Sequence, residues 1–268
     1  MASTDAAAVT VQTIGGPTAV LEMGGLRIML DPTFDPPGRY EREGAPALVK
    51  TRGPAVEADA LGPLGLALVS HDHHPDNLDA AGRELLSTVP LVLTTVAGAQ
   101  RLGGTARGLE PFESTDVDLP GDRSLRVTAI PAQHGPDGTD HLTGPVIGFH
   151  LTGDGLPTVH VSGDNASLDV VRRIADRLGP VDVAVLFAGG ACLAGRFDGA
   201  LLTLGNREAP EAAQILGARV VVPVHHDGWE HFSAPLDGLV EAFTAAGIGD
   251  RLRVVEPGAG PVRVWPPT

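Results

Sequence analysis

Apolar residues along this chain come in short bursts, each closed by glycine, proline or an acid. Residues 9–14 alternate weakly, Gly15-Gly16-Pro17 turns, 18–23 is extended again, Gly24-Gly25 turns, and 26–30 runs back to Asp31-Pro32. Such a pattern predicts an antiparallel meander of short strands joined by glycine turns. Further apolar runs at 64–69, 90–94, 125–130, 145–151, 158–161, 181–186 and 220–224 predict strands, with two terminal strands at 252–255 and 262–265. Helical spacing recurs at 76–86, where Leu78 and Leu85-Leu86 share a face, and at 96–102, 168–178, 208–216 and 236–246. Between 33 and 61 the pattern breaks into a segment rich in proline and glycine, including Asp35-Pro36-Pro37-Gly38. A loop that long within one domain is a lid or binding loop, or else a disordered insertion.

Polar chemistry gathers where the strands stop. The run 64–69 delivers Ser70-His71-Asp72-His73-His74-Pro75-Asp76-Asn77-Leu78-Asp79, three histidines and three acids in nine residues. A solvated turn capped by Asp76 or Asn77 would explain it in isolation. Three other strand ends, however, deliver His134, Asp164 and His225. A packed core has no use for so much polarity, whereas ligands carried on different strand ends can converge on one edge of a sheet. Imidazole and carboxylate suit borderline divalent cations.

Composition narrows the chemistry. Cys192 is the single cysteine, so any metal is held by nitrogen and oxygen. A formal net charge of -14 disfavours a nucleic-acid partner, since the chain repels phosphate backbones. No apolar run reaches the length of a membrane span, and the N-terminal residues lack the basic start and apolar core of a signal peptide. A cytoplasmic protein acting on a small molecule is expected, with no membrane partner and with homo-oligomerisation left open. The local exception to the acidity is Arg39, Arg42, Lys50 (the only lysine) and Arg52 in one segment.

The order of these motifs resembles the metallo-β-lactamase superfamily: the His/Asp cluster, His134 before Gly-Pro, Ser-Gly-Asp at Asp164, then Pro223-Val224-His225. It is most similar to the L-ascorbate-6-phosphate lactonase-like branch, whose members also carry an early strand ending in Asp-Pro. The resemblance runs from about residue 9 to residue 231. It implies a single domain over 1–268 with an αββα sandwich, two mixed sheets face to face, helices outside and a metal site at one edge. It also implies one or two divalent ions, zinc foremost, with manganese or iron(II) as alternatives. His71, His73 and His134 would form a first site, Asp76 and His225 would belong to a second, and Asp164 would bridge the two.

The chain departs from His-x-His-x-Asp-His at one place. Pro75 is an apparent insertion, and Asn77 stands where the second-site histidine is expected. Either His71 and His73 bind with the loop bulged at His74-Pro75, or the frame is shifted towards Asp72 and His74. His74 could also replace the ligand missing at Asn77. Asp76 and His74 are the acid–base candidates beside a metal-bound water, which would attack an ester or lactone. Alternatives on the same fold are a phosphodiesterase, with Arg39, Lys50 and Arg52 binding phosphate, and a non-hydrolytic lyase, isomerase or redox enzyme. Trp229, His231 and Lys50 are candidate substrate contacts, although Trp229 could equally be a core anchor and His231 a surface residue. His150 and His160, inside strands, read as packing or surface residues.

Overall fold

The opening meander is present in the computed structural model, which describes residues 7–42 and 44–267. Residues 1–6, Glu43 and Thr268, parts of the expected 1–268 domain and 33–61 loop, lie outside the described residues. Strands β1 (Val9–Gly15), β2 (Thr18–Met23) and β3 (Leu26–Leu30) pair antiparallel. The strands beyond them are β4 (Gly38–Arg42), β5 (Ala45–Lys50), β6 (Leu66–Leu68), β7 (Val92–Thr95), β8 (Ala106–Leu109), β9 (Ser114–Leu119), β10 (Arg123–Pro131), β11 (Ile147–Thr152), β12 (Val159–Val161), β13 (Val183–Phe187), β14 (Val220–Val224) and β15 (Val262–Trp265). Helices are α1 (Ala80–Leu86), α2 (Val96–Leu102), α3 (Asp140–Thr143), α4 (Leu168–Leu178), α5 (Glu208–Ile215) and α6 (Leu236–Ala245).

Two mixed sheets form, ordered β15-β1-β2-β3-β6-β7-β8 and β14-β13-β12-β11-β10-β9. One apolar cluster draws on both, with Leu21, Ile28 and Leu68 from the first and Val127, Phe149 and Val185 from the second. The outer face of the second sheet is covered by α4, α5 and α6 through Val171, Ile174, Ala212 and Phe243. On the outer face of the first sheet, Leu78 and Leu86 pack against Met29, Ala67 and Val92. The result is the sandwich of two mixed sheets with helices outside. Each fully buried large side chain contributes roughly 1.5–3 kcal/mol of transfer free energy, so the sandwich is a stiff base for its edge. No helix among the described residues is long and apolar enough to cross a membrane.

Strand direction puts the polar ends together. β3 and β6 are parallel neighbours, so Asp31 and Ser70-His71 emerge side by side. β12, β13 and β14 are parallel, and β10 runs with β12 because both are antiparallel to β11. The segments leading to His134, Asp164 and His225 therefore leave the second sheet at one edge. The Ile147 amide, which donates to the Ser70 carbonyl at 3.1 Å, ties the two sheets there.

Several expectations need correction. The 33–61 segment contains the hairpin β4–β5, a separate two-stranded sheet, and a short 3-10 turn at Ala58–Leu61. Little of the hairpin is buried, chiefly Leu48 and Lys50, so it leaves no apolar alternation to read. Helix α1 begins at Ala80, not at 76, because Asp79 caps it by accepting from the Gly82 amide at 2.8 Å. The cap is thus neither Asp76 nor Asn77. Edge strand β8 is four residues long with a single buried apolar side chain, Leu109, and edge strand β9 is mostly polar, which hid them; 252–255 makes only the single bridge Leu252 to Val221.

His150 and His160 are cross-strand partners, both buried, with neither Nδ1 hydrogen-bonded. Burial pushes their pKa values down to about 4 and about 3. In the unfolded chain both would titrate near 6.5, so the unfolded state binds the extra protons. Stability from these groups is complete above about pH 6.5 and is lost as pH falls through that value towards 4 and 3. A urea-midpoint series should therefore drop between pH 7 and pH 5, and His160→Leu should make that drop smaller.

Candidate metal centre

The deepest layer of the site is a carboxylate. Asp31 closes β3 in a left-handed conformation (φ 31°) and is buried. Its Oδ1 accepts from the Ser70 amide at 2.6 Å, and its Oδ2 accepts from the Ser70 hydroxyl at 2.5 Å and the Asn77 amide group at 3.0 Å. Burial outweighs these bonds and pushes the Asp31 pKa up to about 7. Ser70 Oγ lies 2.9 Å from His71 Nδ1. With the hydroxyl donating to Asp31, Nδ1–H of His71 donates to Ser70, and the lone pair of His71 sits on Nε2, facing the cluster.

The other imidazoles are oriented by carbonyls. His134 donates Nδ1–H to the Leu202 carbonyl at 2.8 Å, leaving its Nε2 lone pair free. His73 donates Nε2–H to the Thr143 carbonyl at 2.6 Å. Its ring fills the space over Gly144 (φ 73°), where a Cβ would lie 2.3 Å from Nε2. His74 Nδ1 lies 2.9 Å from His71 Nε2. His225 also has positive φ (57°), and its ring is packed between Phe187 and Phe232 with centroids 5.3 and 4.2 Å away. Gly189 is required beside it, since a Cβ there would lie 2.0 Å from the His225 carbonyl oxygen.

Around these rings the carboxylates are short of partners. Asp164 is fully buried, and its Oδ1 accepts a 3.3 Å bond from Asn77. Its Oδ2 has no hydrogen-bond partner, nor have Asp76 Oδ1 and both ring nitrogens of His225. His225 Nε2 lies 3.6 Å from Asp76 Oδ2 and from Asp164 Oδ1, beyond hydrogen-bond range. Burial, then the neighbouring Asp76 and Asp31, raises the Asp164 pKa well above the carboxylate range. Burial opposes ionisation of Asp76 as well, but His225 and His231 together hold it well below that range. Burial also drives His71, His74 and His225 down and His134 to about 4, so these rings are neutral and keep their lone pairs. Among the described residues, Asp76 and Asp164 form ion-pair contacts only with histidines.

Neutral imidazoles and unpaired buried carboxylates make a donor set that fits a divalent cation. Three groups have ligand atoms within 4.8 Å of one another: His71, His73 and His74; His71, His134 and Asp164; and Asp76, Asp164 and His225. Asp164 joins the last two, the position from which it can serve two ions.

The loop's register is now visible. Asp72 is turned out of the cluster, held by Arg101, whose Nε donates to it at 2.9 Å, and by Arg83 at 3.5 Å. The His74 carbonyl accepts from the amides of Asn77 and Leu78, a turn that carries Asp76 back into the site. His74 itself sits with His71 and His134, ring centroids 4.8 and 5.1 Å away, rather than in the place left by Asn77. Asn77 has become a support that holds Asp31 and Asp164. The imidazole beside Asp76 is His231, with Nε2 3.0 Å from Oδ2.

Lys50 is not brought to the cluster. It is buried and paired with Asp79 at 3.1 Å, and its ammonium lies 5.6 Å from the Trp229 ring centroid. Trp229, 4 % exposed, lines a different cavity together with Lys50. Arg39 pairs with Glu41, and Arg52 is exposed. A cavity of about 90 Å³ adjoins the centre, lined by His74, Asp76, His134 and His231. Its lining also includes the apolar side chains of Leu48, Leu142, Leu193 and Phe197, and the hairpin β4–β5 supplies Arg42.

A family model described as the beta-lactamase superfamily domain matches residues 26–226. The chain belongs to the metallo-β-lactamase superfamily. Among its relatives, a metal-dependent hydrolase of Thermococcus kodakarensis is 28% identical over 244 residues, covering 90% of this chain and 92% of that one. An N-acyl-phosphatidylethanolamine-hydrolyzing phospholipase D of Caenorhabditis elegans is 26% identical over 252 residues, 87% of this chain and 69% of that protein. The fold is shared with an isothiocyanate hydrolase from Delia radicum gut bacteria, with a TM-score of 0.77 at 20% identity over 93% and 97% of the two chains.

Within this superfamily fold the register can be tested by metal content. His74→Ala should lose bound metal, measured by elemental analysis of purified protein. Asp72→Asn should keep its metal while losing about 1–3 kcal/mol of stability as charge-assisted bonds to Arg101 weaken.

Proposed function

We propose that this protein is a metal-dependent hydrolase of a small-molecule ester or lactone. The observation that carries the reading is the pair of buried carboxylates Asp76 and Asp164, each with an unpartnered oxygen, among neutral histidines beside a half-apolar cavity. His71, His134 and Asp164 would hold one divalent ion, zinc foremost, with His73 and His74 grouped beside His71, and Asp76, Asp164 and His225 would hold a second. When bound, such an ion polarises a carbonyl oxygen and lowers the pKa of water from 15.7 towards about 7.

The chain's own residues supply the rest. Asp76 lines the cavity, and His231 steadies its Oδ2, so the other oxygen is placed to take a proton from the attacking water. The water oxygen bonds to the acyl carbon, the ester C–O bond breaks, and the proton passes to the departing alkoxide. Leu48, Leu142 and Phe197 shield the reacting bond from bulk solvent and favour an apolar acyl or alcohol portion. His134, fixed by the Leu202 carbonyl, keeps its ring plane constant through the cycle.

A second reading, phosphodiester hydrolysis, is supported by the Caenorhabditis elegans relative, which is named for cleaving a phospholipid. The same acid–base placement would serve attack at phosphorus.

Turnover of aryl ester, lactone and bis-aryl phosphate panels separates the two readings. Removing metal with a chelator should abolish hydrolysis, and re-adding zinc should restore it. Asp76→Asn should lower kcat by roughly 10²–10⁴. Metal-loaded protein that cleaves no member of the panels would overturn the proposal.

A further inference from the structure

Arg42 is the one strongly basic side chain of the hairpin that turns towards the centre. From β4 it reaches the wall of the cavity that His74, Asp76 and His134 also line. Its Nε donates to the Pro46 carbonyl at 2.9 Å across the hairpin, which fixes the plane of the guanidinium. Among the described residues its buried Nη2 has no hydrogen-bond partner, and Arg42 makes no ion pair. Burial pulls its pKa below the usual arginine value, opposed by the field of Asp76. A second guanidinium, that of Arg196, lines the same cavity and is tied to the hairpin by a 2.8 Å bond from Nη2 to the Gly44 carbonyl.

A buried guanidinium donor without a partner costs stability unless something else satisfies it. Asp76 does not: its Oδ2 is held by His231 at 3.0 Å, and among the described residues no hydrogen bond or ion pair joins it to Arg42. A neutral, wholly apolar substrate would leave the donor unpaired in the filled cavity. A carboxylate or phosphate group matches the planar fork of arginine and can take two bonds from it. Arg42 also lines a larger cavity of about 840 Å³, which shares His74 and Leu142 with the first. The chain's net charge of -14 makes this cationic spot a local exception, as a site for a small anion requires.

We propose that Arg42 is the specificity-determining residue of this cavity, and that its substrate carries an anionic carboxylate or phosphate group at the far end of an apolar stretch from the bond that is cleaved. The inference rests on the hydrolytic reading above only for the identity of the cleaved bond; recognition of the anion is a binding property.

Titration calorimetry on the metal-loaded protein with 4-phenylbutyrate, 3-phenylpropyl phosphate and 4-phenylbutanol tests it. Any direct contact of the anion with metal is common to wild type and variant, so the difference reports the arginine. Arg42→Gln should weaken the carboxylate, the phosphate or both by about tenfold or more relative to the alcohol, and which of the two responds identifies the group. Arg42→Lys, which keeps the charge without the fork, should fall between, and it remains informative if the glutamine variant folds poorly. Equal changes for all three ligands, or none, would overturn the proposal. In turnover, the preference for mono(4-nitrophenyl) adipate over 4-nitrophenyl hexanoate should fall by a similar factor in Arg42→Gln, through KM. Failure to cleave either ester would count against the hydrolytic reading and leave the binding result to decide the role of Arg42.

Discussion

The constraint on which this structure turns is the desolvation of three carboxylates. Asp31, Asp76 and Asp164 are each at most 4 % exposed, in one region with no arginine or lysine in ion-pair contact among the described residues. Charge buried in that way is destabilising by several kcal/mol per ion unless it is compensated. The three acids meet the constraint differently. Asp31 is saturated with donors from Ser70 and Asn77, Asp76 is held ionised by histidines, and Asp164 keeps an oxygen unpaired at the junction of two ligand groups. Burial keeps His71 and His134 unprotonated, so beside Asp164 they offer lone pairs and not positive charge. A cation held at this edge would relieve that cost, and folding and metal binding would then be coupled.

Much of this was legible because strands that end in ligands leave two signals at once. The apolar runs before His71, His134, Asp164 and His225 marked the strands, and the polar residue closing each marked the edge. The loop at 70–79 was legible as a cluster but not as a geometry. Whether Asp72, His73 or His74 faces inward depends on a turn around the His74 carbonyl and on Arg83 and Arg101 drawing Asp72 outward. Those arginines lie 11 and 29 residues away in sequence, and no local pattern announces the pairing. Asn77 shows the same limit. Its chemistry argued against a ligand, but its hydrogen bonds to Asp31 and Asp164 need neighbours supplied only by the pairing of distant strands such as β3 and β6.

The hairpin was hidden for the opposite reason. A two-stranded ribbon that buries little has no alternation for the solvent to enforce, and its turn residues resemble those of an irregular loop. Lys50 illustrates the cost of reading charge without packing. As the only lysine it suggested a phosphate contact, but Asp79 needs it. That one carboxylate caps α1, accepts from the amides of Phe34 and Asp35, and pairs with Lys50, so it ties the start of the 33–61 segment to the helix.

The placement of β4–β5 divides the labour of the protein in a way that bears on its descent. The candidate metal ligands follow directly after strands of the two large sheets, whose ends cannot move without disturbing the core. The cavity wall that carries Arg42 and Leu48 belongs to a separate sheet, pinned to the remainder at a few points such as the bridge from Lys50 to Trp229. Mutations in the ribbon can thus accumulate, lengthen it or exchange it while the reacting centre stays intact. Lineages sharing this sandwich can diversify what they accept by changing a cover, and the chemistry beneath is inherited unaltered.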